Sequence, residues 1–193
     1  MSLNQLAAAC TAQRHIETPL GPMLLARTAK GLAGAWFVGQ KDYPVAIAAP
    51  EAPDDPLLRK AAAQFADYFA GRRTRFDIPL DLHGTAFQRD VWQALLAIGC
   101  GDTSSYGAVA RAVGRPSAVR AVGSAVGRNP VAVIVPCHRV LGSDGTLTGY
   151  AGGLHRKVAL LDIEGLAPVQ ASLPGTPPQP KSLAATRFAA AHA

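Results

Sequence analysis

Apolar positions along the chain follow two rhythms. As far as about Leu82 they come in short extended runs: Arg14 to Leu20, Met23 to Thr28 and Leu32 to Val38. Turns at Gly21-Pro22 and Lys30-Gly31 separate them, which predicts an antiparallel meander. A helix follows, with Asp55 as N-cap, Pro56 at the first position and Gly71 just past the end. Leu58, Ala62, Phe65 and Phe69 recur along it at helical spacing and predict its buried face. Arg75 to Leu82 reads as extended, and a boundary falls at His83-Gly84.

From Gly84 the rhythm is mainly helical. Thr85 and Gln88 form a capping box that opens a helix carrying Phe87, Val91, Leu95 and Ile98 on one face. Tyr106 to Val113 is a short helix closed by Gly114. Ser117 is the expected N-cap of the next helix, which reaches about Gly127. Two short helices across a glycine-containing turn outline a helix-turn-helix. The run Val131 to Val135 reads as a buried strand that ends at Pro136 and delivers Cys137 to the edge of a core. A turn at Ser143-Asp144-Gly145 is expected to fold Val140 and Leu141 back on Thr146 to Tyr150, before a last helix from Leu154 to Ile163. The fold class is therefore α+β, with a meander-plus-helix domain over 1–82 and a mainly helical domain over 84–166. Residues 167–193 hold five of the fifteen prolines, and their composition predicts a disordered tail.

Charge sharpens this picture. The net charge of +6 favours a polyanionic partner only weakly. Between Asp102 and Asp144, however, no acid occurs, while Arg111, Arg115, Arg120, Arg128 and Arg139 do. That stretch spans the helix-turn-helix and predicts a positive field suited to phosphates. The second helix is built of small residues, Ala118, Val119, Ala121, Val122, Gly123, Ser124 and Ala125, around the single long side chain of Arg120. Small residues let a helix approach closely, which suits the minor groove and little sequence preference.

The candidate chemistry centres on Cys137 with His138 beside it. A thiolate is the nucleophile, and a thiol needs a base or a cation to become one. The competing reading is a buried cysteine acting as a small hydrophobe. Cys10, Cys100 and Cys137 form no CxxC pair, so no cysteine-rich zinc site is indicated, and Cys10, His15 and His83 read as solvated surface residues. An odd cysteine count with no leader-like segment predicts a reducing, cytoplasmic setting. No stretch approaches the roughly 20 apolar residues of a membrane-spanning helix. From the residues alone Glu164 reads as a surface carboxylate at a helix end, while Tyr106 is open between a core aromatic and a functional hydroxyl, and Arg120 between a phosphate contact and a side chain that enters the base stack.

Several segments together are similar to the O6-alkylguanine-DNA alkyltransferases, or methylated-DNA–protein-cysteine methyltransferases. They are Gly84-Thr85-Ala86-Phe87-Gln88, Val91-Trp92, Ser105-Tyr106-Gly107, Arg120-Ala121-Val122-Gly123, Asn129-Pro130, Pro136 to Val140 and Gly149 to Gly153, with Lys157, Leu160-Leu161 and Glu164. The resemblance covers nearly all of Gly84 to Gly165 and extends more weakly into Glu17 to Gly21 and Tyr68 to Gly71. It implies a ribonuclease-H-like amino-terminal domain and a DNA-repair reaction without cofactor or metal. An O6-alkylguanine, with O4-alkylthymine as a further substrate, is flipped from duplex DNA and its alkyl group passes irreversibly to Cys137.

In that reading His138 takes the thiol proton through a water, Glu164 orients the imidazole, and Tyr106 protonates the departing guanine. Arg120 fills the vacated stack, with Ala121, Ser124, Ala125 and Arg128 on the DNA. Asn129 pins the link to Cys137, and Val140, Tyr150, Ala151 and Gly152 form the base pocket. The protein is expected to be a monomer with no membrane partner. Two positions depart from the family pattern. Gly99-Cys100 stands where a proline and an aromatic are usual, at some loss of rigidity, and Ala151 stands where some members have a serine, which would remove one possible donor to the base. Rival readings are a DNA-binding protein without transfer chemistry, a cysteine hydrolase and a helix-turn-helix regulator.

Overall fold

A computed structural model describes residues 3–44 and 46–166; the proline-rich tail expected over 167–193 lies outside them. The chain opens with a short helix, α1 (Leu3–Ala9), that the hydrophobic pattern did not announce. Strands β1 (Ala12–Ile16), β2 (Met23–Arg27) and β3 (Leu32–Phe37) then form an antiparallel sheet in chain order. The first strand stops short of the expected Leu20. Thr18 ends it, because its hydroxyl accepts from the Leu20 N–H at 3.2 Å and donates to the Gly21 carbonyl at 2.6 Å, closing a turn.

Strands β2 and β3 are covered on both faces. Met23, Leu25, Ala35 and Phe37 enter the main core, while Leu24, Ala26, Ala33 and Trp36 meet Leu6 of α1 and Ile47. That second face gives α1 its place: Leu6, only 2% exposed, closes one end of the smaller cluster.

Helix α2 (Pro56–Phe69) begins as expected, with Asp55 accepting from the N–H groups of Leu57 and Leu58. Its buried stripe is Leu58, Ala61, Gln64, Phe65 and Tyr68. The expected Ala62 and Phe69 lie at its flank, and Tyr68 replaces Phe69 inside because its hydroxyl has a buried partner. Helix α3 (Ala86–Leu96) has the full Thr85/Gln88 capping box. Its Trp92 donates from Nε1 to the Ala125 carbonyl at 2.8 Å, locking α3 to a later helix. Replacing Thr85 by Ala removes one cap bond and should lower stability by about 1 kcal/mol in a denaturant titration.

A two-residue strand β4 (Ser104–Ser105) leads into α4 (Tyr106–Ala112) and α5 (Val119–Gly127), the two helices of the helix-turn-helix. Ser117 does not cap α5. The Ala118 N–H bonds back to the Arg115 carbonyl at 2.9 Å, so the turn continues past Ser117 and Ala118 becomes the cap, with no side-chain bond. A three-residue 3-10 turn, Cys137–Arg139, precedes β5 (Val140–Leu141), and α6 (Leu154–Ile163) ends the described chain. Strand β5 pairs in parallel with β4, where a fold back on Thr146 to Tyr150 was expected; only the Gly142 N–H reaches the Thr146 carbonyl, at 2.9 Å.

The expected strand over 131–135 is also corrected. Val131 makes one bridge to Ala35 on the edge of β3, and then the chain turns, with the Val135 N–H bonded to the Val131 carbonyl at 3.0 Å. Val133 sits at φ +72°, a left-handed conformation that costs a β-branched residue of order 1–3 kcal/mol. A tight, fully buried turn and a buried strand share one apolar sequence, so the run could not distinguish them.

Candidate active site

Asn129 builds the turn that carries Cys137. Its Nδ2 donates to the carbonyls of Val131 (3.3 Å) and Val135 (2.7 Å), and its Oδ1 accepts from the Val131 N–H at 3.0 Å. The same Nδ2 lies 3.1 Å from Cys137 Sγ and can donate to it. Burial pushes the Cys137 thiol up, opposed by this amide, by the charge of Lys157 and by backbone N–H groups of the turn. At rest the sulfur is therefore a neutral thiol needing a base, in a setting already arranged for the anion.

His138 is wholly buried. Its Nε2 meets Glu164 Oε1 at 2.8 Å, while Nδ1 is buried without a hydrogen bond to the described protein. Burial lowers its pKa, against the pull of Glu164, so the ring is neutral and able to accept a proton.

Glu164, which the residues alone would leave at the surface and the resemblance sets beside His138, has a side chain only 1% exposed. Besides His138, Oε1 receives the Tyr68 hydroxyl at 2.7 Å and Arg139 Nη2 at 2.8 Å, and Oε2 receives Arg139 Nε at 2.8 Å. Burial alone would raise its pKa, but the bonds from His138, Arg139 and Tyr68 bring it down to about 2. Glu164 is thus an anion held by one bidentate arginine, a phenol and an imidazole.

Arg139 accordingly leaves the positive surface where the charge count had put it. It is 7% exposed and faces inward, while Arg111, Arg115, Arg120 and Arg128 are exposed. Lys157 is buried too, donating from Nζ to the carbonyls of Val140 (2.6 Å) and Thr148 (2.9 Å), and burial lowers its pKa to about 8. Sequence reasoning missed Arg139, Lys157 and Tyr68 as members of this cluster. A signal for α6 was present: Lys157, Leu160, Leu161 and Glu164 share one helical face, and that face is the buried one. Cys10, expected at the surface with His15 and His83, is buried and donates to the Leu6 carbonyl.

A cleft of about 420 Å³ opens between α5 and the 149–151 loop. Tyr106, Gly123, Ser124 and Arg128 form one side, Gly149, Tyr150 and Ala151 the other, and Lys41 and Asp42 reach in from the loop after β3. The Tyr106 hydroxyl accepts from Thr148 Oγ1 at 3.0 Å, which leaves its own proton to donate. Arg120, Ala121, Ser124 and Arg128 lie exposed on α5 and its end. Ala125 does not: it is 2% exposed and packs inward beneath Trp92. Val140 is fully buried and Gly152 lies behind Tyr150, so neither lines the cleft.

Two family models match the chain. One, described as the 6-O-methylguanine DNA methyltransferase DNA binding domain, covers residues 86–166. The other, the ribonuclease-like domain of the same family, covers residues 13–82. The chain is 48% identical over 151 residues to the methylated-DNA–protein-cysteine methyltransferase of Mycobacterium leprae, spanning 78% of this chain and 90% of that protein. It is 48% identical over 149 residues to the same-named protein of Methanosarcina barkeri, spanning 77% of this chain and 94% of that one. Among solved structures it resembles the Mycobacterium tuberculosis O6-methylguanine methyltransferase, with TM-score 0.74 and 46% identity over 84% of this chain and 98% of that one. A structure of the M. tuberculosis protein in complex with DNA aligns with TM-score 0.73 and 46% identity, over 82% of this chain and 96% of that one.

Proposed function

The chain belongs to the 6-O-methylguanine DNA methyltransferase family, and from this we propose that Cys137 is the residue that accepts the alkyl group. The protein is a DNA-repair methyltransferase that moves an alkyl group from DNA to one of its own cysteines. The observation that carries the assignment of Cys137 is its surroundings: an amide donor at 3.1 Å on the sulfur and a neutral, buried imidazole next in sequence.

The step balances as a displacement at carbon. Sulfur forms a bond to the alkyl carbon as the bond from that carbon to guanine O6 breaks. The thiol proton passes through a water to Nδ1 of His138, and the resulting imidazolium faces the Glu164 anion. Guanine would leave as an anion, and Tyr106 at the cleft donates its proton to it. We read the cleft between α5 and Tyr150-Ala151, which has room for a base, as the place that receives one base turned out of the helix. Lys157 favours the anionic sulfur without touching substrate. A methylated Cys137 is a thioether without an acidic proton or a good leaving group, so each molecule acts once.

DNA is the partner, and we assign damaged duplex to the α5 face through Arg120, Ala121, Ser124 and Arg128. We take the chain as a monomer, with its division near His83 and an irreversible reaction suited to a reducing cytoplasm, where a free thiol survives. Among the described residues no helix is long and apolar enough to cross a membrane.

Incubation with methylated duplex followed by intact-mass measurement tests the transfer itself. A second measurement tests base flipping. Arg120→Ala should slow single-turnover repair of duplex at saturating DNA about tenfold or more, because extruding a stacked base costs a few kcal/mol and a side chain that fills the gap offsets part of that. Reaction with free O6-benzylguanine, which needs no extrusion, should change little. Equal losses on both substrates would reject the role. A uniform loss of DNA affinity with a salt slope lower by about 1 would make Arg120 a phosphate contact.

A further inference from the structure

The wall of the cleft formed by Tyr150 and Ala151 is held from the amino-terminal sheet, and one side chain makes most of the connection. Arg156, on the first turn of α6, donates from Nε to the Leu20 carbonyl at 2.8 Å and from Nη1 to the Gly152 carbonyl at 2.9 Å. Its guanidinium lies 4.7 Å from the centre of the Phe37 ring. Leu20 belongs to the turn before β2, and Phe37 is the last residue of β3. Gly152 is clasped between two rings. A Cβ there would lie 2.6 Å from Tyr150 Cε1 and 3.3 Å from Phe37 Cδ2. Tyr150, Gly152, Phe37 and Arg156 therefore stack in layers, and the Lys41 N–H adds a second tie to the Ala151 carbonyl at 3.0 Å.

We infer that Arg156 is a positioning residue for the base pocket, clamping the 150–152 loop to the amino-terminal sheet so that Tyr150 stands at a fixed distance from α5. This rests on the reading of the cleft as the base site. Three properties favour positioning over general cohesion. The guanidinium spends its donors on two backbone carbonyls, one in each half of the protein. A planar fork reaches them from two separate nitrogens, Nε and Nη1, held at a fixed spacing, where an ammonium has one nitrogen. Its contacts run to the cleft wall, and none of them reaches Cys137, His138 or Glu164.

The test separates binding from chemistry, using free O6-benzylguanine under single-turnover conditions. Arg156→Lys keeps the charge and the apolar stem but offers a single nitrogen where Nε and Nη1 of Arg156 each hold one carbonyl. It should weaken the apparent dissociation constant about tenfold, the loss of one charge-assisted hydrogen bond. The limiting rate at saturation should stay within about twofold, since no group that reacts has moved. The pH profile of Cys137 alkylation by iodoacetamide should match that of the parent. Arg156→Ala should show the same pattern more strongly, and a melting curve on both variants confirms that they are folded. An unchanged dissociation constant in folded Arg156→Lys would overturn the proposal. So would a fall in the limiting rate with a displaced thiol pH profile, which would make Arg156 part of the proton relay. If the parent protein itself takes no benzyl group on Cys137, the reading of the cleft fails, and that failure is seen before any variant is made.

Discussion

Given an excess of duplex DNA carrying O6-methylguanine, the protein should gain one methyl group, on Cys137, and then stop. The three cysteines differ enough for the position to be decisive. Cys10 follows α1 and is buried against it, with its thiol pushed up to about 11, first by burial and then by Asp81. Cys100 is partly exposed, but burial and the nearby Glu164 carboxylate raise its thiol. Burial raises Cys137 as well, yet Cys137 alone has an amide donor on its sulfur and a neutral imidazole beside it. Replacement by Ser keeps the shape and removes the nucleophile. By analogy with deletion of other enzyme nucleophiles the rate should fall on the order of a millionfold, below detection. Peptide mapping after incubation locates the methyl group, and a titration of protein against DNA gives the stoichiometry. Methylation of Cys10 or Cys100 would remove the assignment. Repair continuing beyond one equivalent would mean that the thioether is cleaved, and the hydrolase reading would replace this one.

Legibility in the sequence followed the range of the interactions. Asp55 and Thr85 cap their helices through bonds to residues two or three positions away, so local spacing was enough to find them. Gly71 and Gly114 stop helices at φ +70° and +69°, conformations that glycine adopts without penalty. The turn at 131–135 was not legible, because what distinguishes it from a strand is the Asn129 side chain and the edge of β3, both supplied by tertiary packing. Arg139 failed for the same reason in reverse. A count of charges along the chain places every arginine outside, whereas this one is drawn in by a carboxylate 25 residues away. Glu164 on its own reads as a helix-end acid. Only resemblance to a family pointed it inward, and only the fold brings in Tyr68, which lies 96 residues earlier. Helix α1, seven residues long, is too short to show a helical period; its place comes from Trp36 and the outer face of the sheet.

Because Glu164 gathers His138, Arg139 and Tyr68, replacing it should cost stability and activity together, and the two losses can be separated. Glu164→Gln preserves shape but removes the charge opposite Arg139, whose side chain is 9% exposed. A buried ion left without its partner typically costs about 3–5 kcal/mol. Transfer should slow by about 10²–10⁴, the usual worth of a positioned base, because the imidazolium formed at His138 loses its counter-charge. The double variant Arg139→Met, Glu164→Gln removes the stranded cation. It should recover much of the stability and none of the rate, which a purely structural role for Glu164 would not allow.

Acid offers an independent check. Glu164 titrates at about 2 when folded against an ordinary 4.5, so the folded state holds its proton less tightly than the unfolded chain does. Its contribution, of order 3 kcal/mol, is present above pH 4.5 and is lost as the pH falls from there towards 2. His138, whose pKa burial lowers, acts in the same direction and begins earlier, as the pH falls below the ordinary histidine value of 6.5. Denaturant titrations should therefore show stability declining below about pH 6.5 and more steeply below about pH 4.5. In Glu164→Gln the second decline should flatten while the first remains. A variant whose acid profile matched the parent's throughout would show that Glu164 is not the buried anion at the centre of this cluster.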